Sequence, residues 1–67
     1  MALDHDHFMG LALEEAKRAN EEGCVPVGSV IVKGEEVVGA GRNQVNTLLD
    51  PTAHAEVDAM RDACRRL

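Results

Sequence analysis

Apolar and polar positions follow a helical period at the start of the chain. From about Asp6 to Glu22, apolar residues recur at spacings of three and four, which predicts an amphipathic helix with one packed face. Gly23 stands where this helix is expected to end, because glycine readily adopts the left-handed conformation that closes a helix. The residues predicted to pack are Phe8, Leu11, Ala12, Ala16 and Ala19.

The pattern then changes to one typical of strands. A nearly continuous β-branched run over residues 25–32 predicts a strand with both faces covered, and Pro26 is expected at its first residue or at a sheet edge. Residues 33–36 predict a turn and residues 37–40 an antiparallel return strand. Three glycines lie within strand-like sequence, which predicts close approach of another backbone, a bulge or a ligand: Gly28, Gly39 and Gly41.

A polar loop over residues 41–49 leads to a second predicted helix. Asp50 followed by Pro51 is typical of an N-cap and first helical position. One face is predicted to carry Ala53, Val57, Met60, Cys64 and Leu67, and a second face the small residues Ala55, Ala59 and Ala63. The stripe predicted to stay in solvent is Asp58, Arg61, Asp62 and Arg65.

The predicted order is therefore α-β-β-α, an α/β arrangement that is incomplete by itself. A two-stranded hairpin is rarely stable alone, and a Val/Ile-rich strand is expected to have neighbours on both sides. We expect residues 1–67 to be part of a larger sandwich, either as a fragment or as a chain that needs a partner.

Composition narrows the class of protein. With 67 residues, 45% of them apolar and 28% charged, the chain is expected to be one small globular unit. A net charge of −5 argues mildly against binding to nucleic-acid phosphates. No apolar run reaches the about 20 residues of a membrane span. Cys24 and Cys64 have no metal-like spacing and are expected to be free thiols, so a cytoplasmic location is predicted.

The segment from Asp50 to Glu56 carries the candidate chemistry. His54, predicted in the first turn of the second helix, would hold a metal through one ring nitrogen. Glu56 is not a natural co-ligand, because residues two apart on a helix face different ways, but it can reach across a metal-bound water. Hydrolytic deamination needs these separate roles. Taken by itself, His-x-Glu is better explained by a surface histidine and a helix-surface glutamate.

The context of that motif changes its interpretation. Four segments run in order along nearly the entire chain: Leu13-Glu14-Glu15-Ala16, Val25-Pro26-Val27-Gly28 with Val30-Ile31-Val32, Gly41-Arg42-Asn43, and Asp50-Pro51-Thr52-Ala53-His54-Ala55-Glu56. Together they resemble the N-terminal half of the cytidine deaminase-like superfamily. The resemblance is closest to the branch that contains guanine deaminase, fungal-type cytosine deaminase and bacterial tRNA adenosine deaminase.

This resemblance implies a fold and a set of site residues. Residues 1–67 would be the N-terminal α-β-β-α portion of a three-layer α/β/α sandwich, within a single catalytic domain of a zinc-dependent hydrolase. His54 would be a Zn²⁺ ligand, and Glu56 the proton shuttle while metal-bound water attacks the amino-bearing ring carbon. Asn43, Val27 and the Ala55 N–H would contact the substrate. Asn43 as a turn residue and Val27 as an ordinary core residue are the alternatives.

The zinc site implied by the resemblance is incomplete in this sequence. The superfamily supplies two further ligands from a Pro-Cys-x-x-Cys motif, which is absent here, and catalytic zinc normally has three protein ligands. Cys64 lies ten residues after His54 on the same predicted helix, about 15 Å away, and Cys24 is expected to pack as a small apolar group. We therefore expect the chain alone to be inactive.

The substrate and the partners are left open by the sequence. Residues 25–28 look more like the cytosine and tRNA-adenosine enzymes, whereas residues 43–47 look more like guanine deaminase. The acidic charge favours free cytosine or guanine over tRNA wobble adenosine, and another amidine such as a nucleoside or deoxycytidylate is a further alternative. A non-catalytic fragment, active only with a complementing C-terminal half, is the rival class. The superfamily usually forms dimers or tetramers, so a homo-oligomer is expected.

Overall fold

The computed structural model describes residues 5–67. Five elements follow one another, and their order confirms the predicted α-β-β-α arrangement with one short helix added: α1 (His5–Glu21), β1 (Gly28–Lys33), β2 (Glu36–Arg42), α2 (Val45–Leu48) and α3 (Ala55–Arg66).

Helix α1 ends where the sequence predicts. Gly23 has a φ of 80°, and the Cys24 N–H donates to the Ala19 carbonyl at 2.9 Å, so the chain reverses out of the last helical turn. Ala19 is fully buried on the inner face of the helix. The helix therefore packs along one face, as its apolar period predicts.

The two strands form an antiparallel hairpin around a turn at Gly34, whose φ is 65°. Gly28 pairs with Arg42 and Lys33 with Glu36, and the register shifts at Ile31/Val32. Within residues 5–67 the sheet has only these two strands.

The prediction that the first strand begins near residue 25 is wrong. Val25 and Val27 are 60% and 45% exposed, and the Val27 N–H donates to the Val25 carbonyl at 2.8 Å. This tight local bond, together with Pro26, which has no N–H for a sheet ladder, bends the chain before Gly28. Pro26 consequently precedes the strand, and β1 comprises only residues 28–33.

The glycines in the hairpin allow helices to pack on both of its faces, as the sequence predicts. A Cβ at Gly28 would lie 2.6 Å from the Ala16 nitrogen of α1. A Cβ at Gly39 would lie 2.6 Å from the Ala59 carbonyl oxygen, and one at Gly41 would lie 2.7 Å from the Asp58 carbonyl carbon, both in α3. Gly28 pairs with Arg42, and directly paired residues face the same side of a sheet. Gly41, the neighbour of Arg42 in β2, faces the other side, because successive residues of a strand alternate. The layers are therefore α1, hairpin and α3.

Helix α3 presents its small residues to the sheet, and the face predicted to be its apolar one is largely exposed. Ala55, Ala59 and Ala63 are buried, whereas Met60 and Leu67 are 51% and 80% exposed. Small side chains are required here because the backbones of α3 and β2 approach so closely.

The prediction that Asp58 and Asp62 stay in solvent is also wrong. Asp58 accepts a hydrogen bond from the Arg42 backbone N–H, and Asp62 accepts one from the Ala40 N–H, each at 2.9 Å. These two N–H groups belong to β2, which has no second strand beside it among residues 5–67. The bond from Ala40 is the main reason that the pKa of the Asp62 carboxyl lies below its ordinary value. The carboxylates therefore replace a neighbouring strand as acceptors.

Within the described part of the chain, no helix has both the length and the apolarity that crossing a membrane requires.

The close contact between β2 and α3 predicts a marked effect of a single methyl group. Gly41→Ala should lower the free energy of unfolding by about 1–3 kcal/mol or more, because the new Cβ meets backbone atoms that cannot move independently. The matched control is Gly10→Ala on α1, where a Cβ meets nothing within 4 Å. That change should add about 0.5–1 kcal/mol through helix propensity. Urea unfolding followed by circular dichroism measures both, and a Gly41→Ala variant within about 0.5 kcal/mol of the parent contradicts the packing.

Candidate metal and substrate site

The turn before α3 determines where His54 lies. The Asp50 carboxylate accepts hydrogen bonds from the Thr52 N–H at 2.9 Å and the Thr52 hydroxyl at 2.7 Å. These bonds lower the pKa of the Asp50 carboxyl, the hydroxyl contributing most. An aspartate that bonds to the backbone two residues later forms a turn that competes with helix formation. The prediction that Asp50 and Pro51 begin the helix is therefore wrong.

The helix begins four residues later than expected, at Ala55, and His54 occupies the N-cap position. Its backbone is extended, with φ −74° and ψ 159°, and its side chain makes no capping hydrogen bond. The imidazole is thus not committed to the helix and lies exposed to solvent. His54 stands just before the first turn, which corrects its predicted place within that turn.

Glu56 and Ala55 complete this motif at the start of α3. Glu56 is exposed in the first turn, whereas Ala55 between the two polar residues is only 2% exposed. The buried methyl packs the helix start against the sheet, while the side chains of His54 and Glu56 remain exposed. The first N–H groups of an α-helix have no acceptor within the helix, and the Ala55 N–H is one of them.

Asn43 lies at the end of β2 and is 8% exposed. Its backbone N–H donates to the Val27 carbonyl at 3.0 Å, and its side-chain oxygen accepts from the Val45 N–H at 3.1 Å. Among residues 5–67 its side-chain NH₂ has no hydrogen-bond partner, so it remains a donor. Val27, whose carbonyl accepts the Asn43 N–H, has a side chain that is 45% exposed.

One residue that the sequence analysis did not single out connects these parts. Gln44, directly after Asn43, donates its backbone N–H to the Ala53 carbonyl at 2.8 Å. The end of β2 is thereby joined to the residue before His54. Val27, Asn43 and the 54–56 segment consequently lie at the same end of the hairpin. No sequence motif signals this role for a glutamine; only its position after Asn43 suggests it.

Among the described residues at this place, His54 is the side chain that could bind zinc. No group of three or more His, Cys, Asp and Glu residues within 5–67 is arranged to hold a metal ion. Cys24 is buried, with Sγ 3.4 Å from the Thr47 hydroxyl, which lowers the pKa of the thiol, and Cys64 is exposed on α3. The residues present therefore fit one position of a zinc site, through His54, and do not complete it.

The arginines of the described surface are paired with carboxylates. Arg42 donates two hydrogen bonds to Glu22, at 2.8 and 2.9 Å, and this pairing raises the pKa of the guanidinium and lowers that of the carboxyl. Every arginine lies within 4.0 Å of an acidic side chain: Arg18, Arg42, Arg61, Arg65 and Arg66. Among residues 5–67, the basic side chains without such a pair are those of Lys17 and Lys33.

Known proteins with similar sequences are deaminases. The family model for the cytidine and deoxycytidylate deaminase zinc-binding region matches residues 3–67. The tRNA-specific adenosine deaminase of Aquifex aeolicus (strain VF5) is 55% identical over 65 residues, which are 97% of this chain and 43% of that protein. The guanine deaminase of Bacillus subtilis (strain 168) is 42% identical over 66 residues, 97% of this chain and 42% of that protein.

Solved structures of the same two kinds of enzyme share the fold. A structure from a study of A-to-I editing by tRNA:A34 deaminases at the wobble position of transfer RNA superposes with a TM-score of 0.85 at 45% identity, covering 90% of this chain and 46% of that one. The X-ray structure of guanine deaminase from Bacillus subtilis superposes with a TM-score of 0.84 at 42% identity, covering 94% and 41%.

The chain thus spans less than half the length of these relatives, and the predicted cytidine deaminase-like fold is confirmed. On the strength of the motif at the start of α3 and of the match over residues 3–67, the chain belongs to the cytidine and deoxycytidylate deaminase zinc-binding family.

Proposed function

We propose that this chain contributes to the zinc-dependent hydrolytic deamination of a nucleobase, with His54 as a zinc ligand and Glu56 as the proton shuttle. The observation that carries the proposal is the arrangement at the start of α3. Two exposed polar side chains flank the buried Ala55, at the end of the hairpin where Asn43 keeps a free donor. A family match over residues 3–67 supports the same chemistry.

Two further zinc ligands have to come from outside these 67 residues. We propose that they are the cysteine thiolates of a Pro-Cys-x-x-Cys motif, carried by additional sequence or by a complementing or identical chain, and that the 67 residues alone are inactive. His54 suits the remaining position because its ring is exposed and its backbone is fixed by the turn at Thr52. Bound zinc supplies a water that ionises near neutral pH, which is the nucleophile such a reaction needs.

Glu56 moves the protons of the reaction. Hydrolysis replaces the exocyclic amino group of the base with an oxygen from water and releases ammonia. One water proton has to reach the ring nitrogen and another the departing amine, and a carboxylate within reach of both performs these transfers. Glu56 is accessible in the first turn of α3 and is not held in any ion pair among the described residues.

Three other groups are proposed to bind the base. The Asn43 side-chain NH₂ would donate to its polar edge, the Ala55 N–H would donate to a carbonyl or ring nitrogen, and Val27 would contact its face. The unpaired amide of Asn43 and the 45% exposure of Val27 support these roles, because both groups are open to a ligand.

A free base, cytosine or guanine, is the favoured substrate. The net charge is −5 and each arginine is paired with a carboxylate, which leaves Lys17 and Lys33 as the unpaired basic side chains among residues 5–67, whereas binding to a nucleic-acid backbone depends on several unpaired Lys and Arg. tRNA wobble adenosine is the second candidate. It is supported by the tRNA-specific adenosine deaminases of Aquifex aeolicus and Agrobacterium fabrum (strain C58 / ATCC 33970), which are 55% and 44% identical to this chain.

Glu56→Gln tests the proton shuttle. The test uses the zinc-loaded protein, which is this chain together with the sequence or chain that supplies the two cysteine ligands. In it, this variant should keep its zinc and lose ammonia release by about 10²–10⁴-fold, since the amide preserves the shape of the side chain but cannot carry the proton. Glu35→Gln is the matched control, because Glu35 is exposed in the hairpin turn, and it should leave turnover unchanged. Normal turnover in Glu56→Gln would remove Glu56 from the mechanism.

A substrate panel distinguishes the two candidates. Ammonia release by the zinc-loaded protein should be detected with guanine or cytosine and not with tRNA that carries adenosine at the wobble position. Inosine formed in the tRNA, with both free bases inert, would instead establish the second candidate. If none of the three reacts, the proposed deamination of cytosine, guanine or wobble adenosine is wrong.

A further inference from the structure

Asp58 lies four residues after His54 on α3, with its side chain turned toward the hairpin. Its Oδ2 accepts from the Arg42 backbone N–H at 2.9 Å, and its Oδ1 accepts from the Gln44 side-chain NH₂ at 2.8 Å. Its own N–H donates to the His54 carbonyl at 2.9 Å, which forms the first turn of the helix. A single aspartate thus contacts both residues that flank Asn43.

Gln44 extends this set of bonds to the other side of His54. Its backbone N–H donates to the Ala53 carbonyl at 2.8 Å while its side chain donates to Asp58. The bonds therefore form a closed circuit from Asp58 through Gln44 to Ala53, and back through His54 to Asp58. Asn43 follows β2 and His54 precedes α3, and this circuit joins the residues next to each of them.

We infer that Asp58 is a positioning residue that fixes the position of Asn43 relative to His54. This inference rests on the proposed roles of Asn43 in substrate binding and of His54 at zinc. Asp58 is not proposed to touch the substrate or the metal. It acts through Gln44 and through the end of β2, and displacement of a binding group by about 1 Å is enough to lower an enzyme's rate by up to about 10²-fold.

The chemistry of the circuit requires a carboxylate. Both partners of the Asp58 side chain are donors, and an ionised carboxylate has two acceptor oxygens, one for each. An asparagine has one acceptor and one donor group, so Asp58→Asn would direct an NH₂ group at one of the two donors. Changing Gln44 to glutamate turns this donor into an acceptor, which can accept from the NH₂ group of the new asparagine. The double variant Asp58→Asn/Gln44→Glu therefore restores both hydrogen bonds and keeps the net charge.

Asp62 provides a matched control one turn further along α3. Its carboxylate also accepts from a β2 backbone N–H, that of Ala40 at 2.9 Å, and it pairs with Arg66 at 2.7 Å. It has no hydrogen bond to Gln44. Asp62→Asn retains an acceptor for Ala40, so it tests the general effect of removing a carboxylate from this face of the helix.

Hydrogen exchange tests the circuit without zinc or substrate. In Asp58→Asn, the Gln44 backbone amide should exchange about tenfold faster than in the parent. The reason is that Gln44 loses its side-chain hydrogen bond to residue 58, which weakens the bond from its backbone N–H to the Ala53 carbonyl. In Asp62→Asn it should exchange within twofold of the parent, and in Asp58→Asn/Gln44→Glu it should return toward the parent rate. An unchanged Gln44 amide in Asp58→Asn overturns the inference whether or not the protein proves to be a deaminase.

Steady-state kinetics of the zinc-loaded protein with guanine and cytosine test the consequence for binding. Asp58→Asn should keep its zinc and raise KM on the order of tenfold, since the misplaced Asn43 weakens binding of the base. Asp62→Asn should leave KM within twofold, and the double variant should recover most of the loss. An equal rise in KM in the two single variants, or no recovery in the double variant, contradicts a positioning role. A parent protein inactive on both bases and on tRNA refutes the proposed function instead.

Discussion

The structure depends on the close packing of α3 against β2. Gly39 and Gly41 leave no side chain between the two backbones, and a Cβ at either position would lie within 3.0 Å of helix atoms. The three buried positions of the helix are alanines, so the contact is formed by backbone and methyl groups. Its close fit comes from the absence of side chains, and dense packing of this kind tolerates little added volume.

That packing also places the polar groups of the site. Once α3 lies this close to the strand, Asp58 and Asp62 reach the outward N–H groups of β2 and satisfy donors that would otherwise have no protein acceptor. The start of the helix is then fixed relative to the end of β2, with His54 just before the helix and Asn43 just after the strand. The packing of α3 against β2 therefore also positions the residues of the candidate site.

Much of the fold was predictable because it follows from local periodicity. The apolar spacing of α1, the β-branched strand and the interrupting glycines each reflect one element or one contact, and the structure confirms the α-β-β-α order. The start of α3 was not predictable in this way. Asp50 and Pro51 suit a helix start, but the bonds between Asp50 and Thr52 form a turn instead, and an Asp-x-Thr pattern is compatible with both.

The inward direction of Asp58 and Asp62 could not be read from the sequence either. Their spacing along the helix is that of a solvated stripe, and only the position of β2 makes them acceptors. For the site, the motif around His54 and the resemblance that it carries indicated the candidate residues, and their roles remain predictions. The parts that hold those residues in place, Gln44 and Asp58, have no motif, because their function depends on contacts between separate elements.

Zinc K-edge X-ray absorption of the zinc-loaded protein tests the central claim most directly, because it reports the atoms bound to the metal. We expect one imidazole nitrogen and two sulfurs among the ligands. We also expect the imidazole contribution to disappear, and zinc to be lost, in His54→Ala but not in the control His5→Ala. Zinc with an unchanged imidazole contribution and full occupancy in His54→Ala would contradict the placement of His54 at the metal.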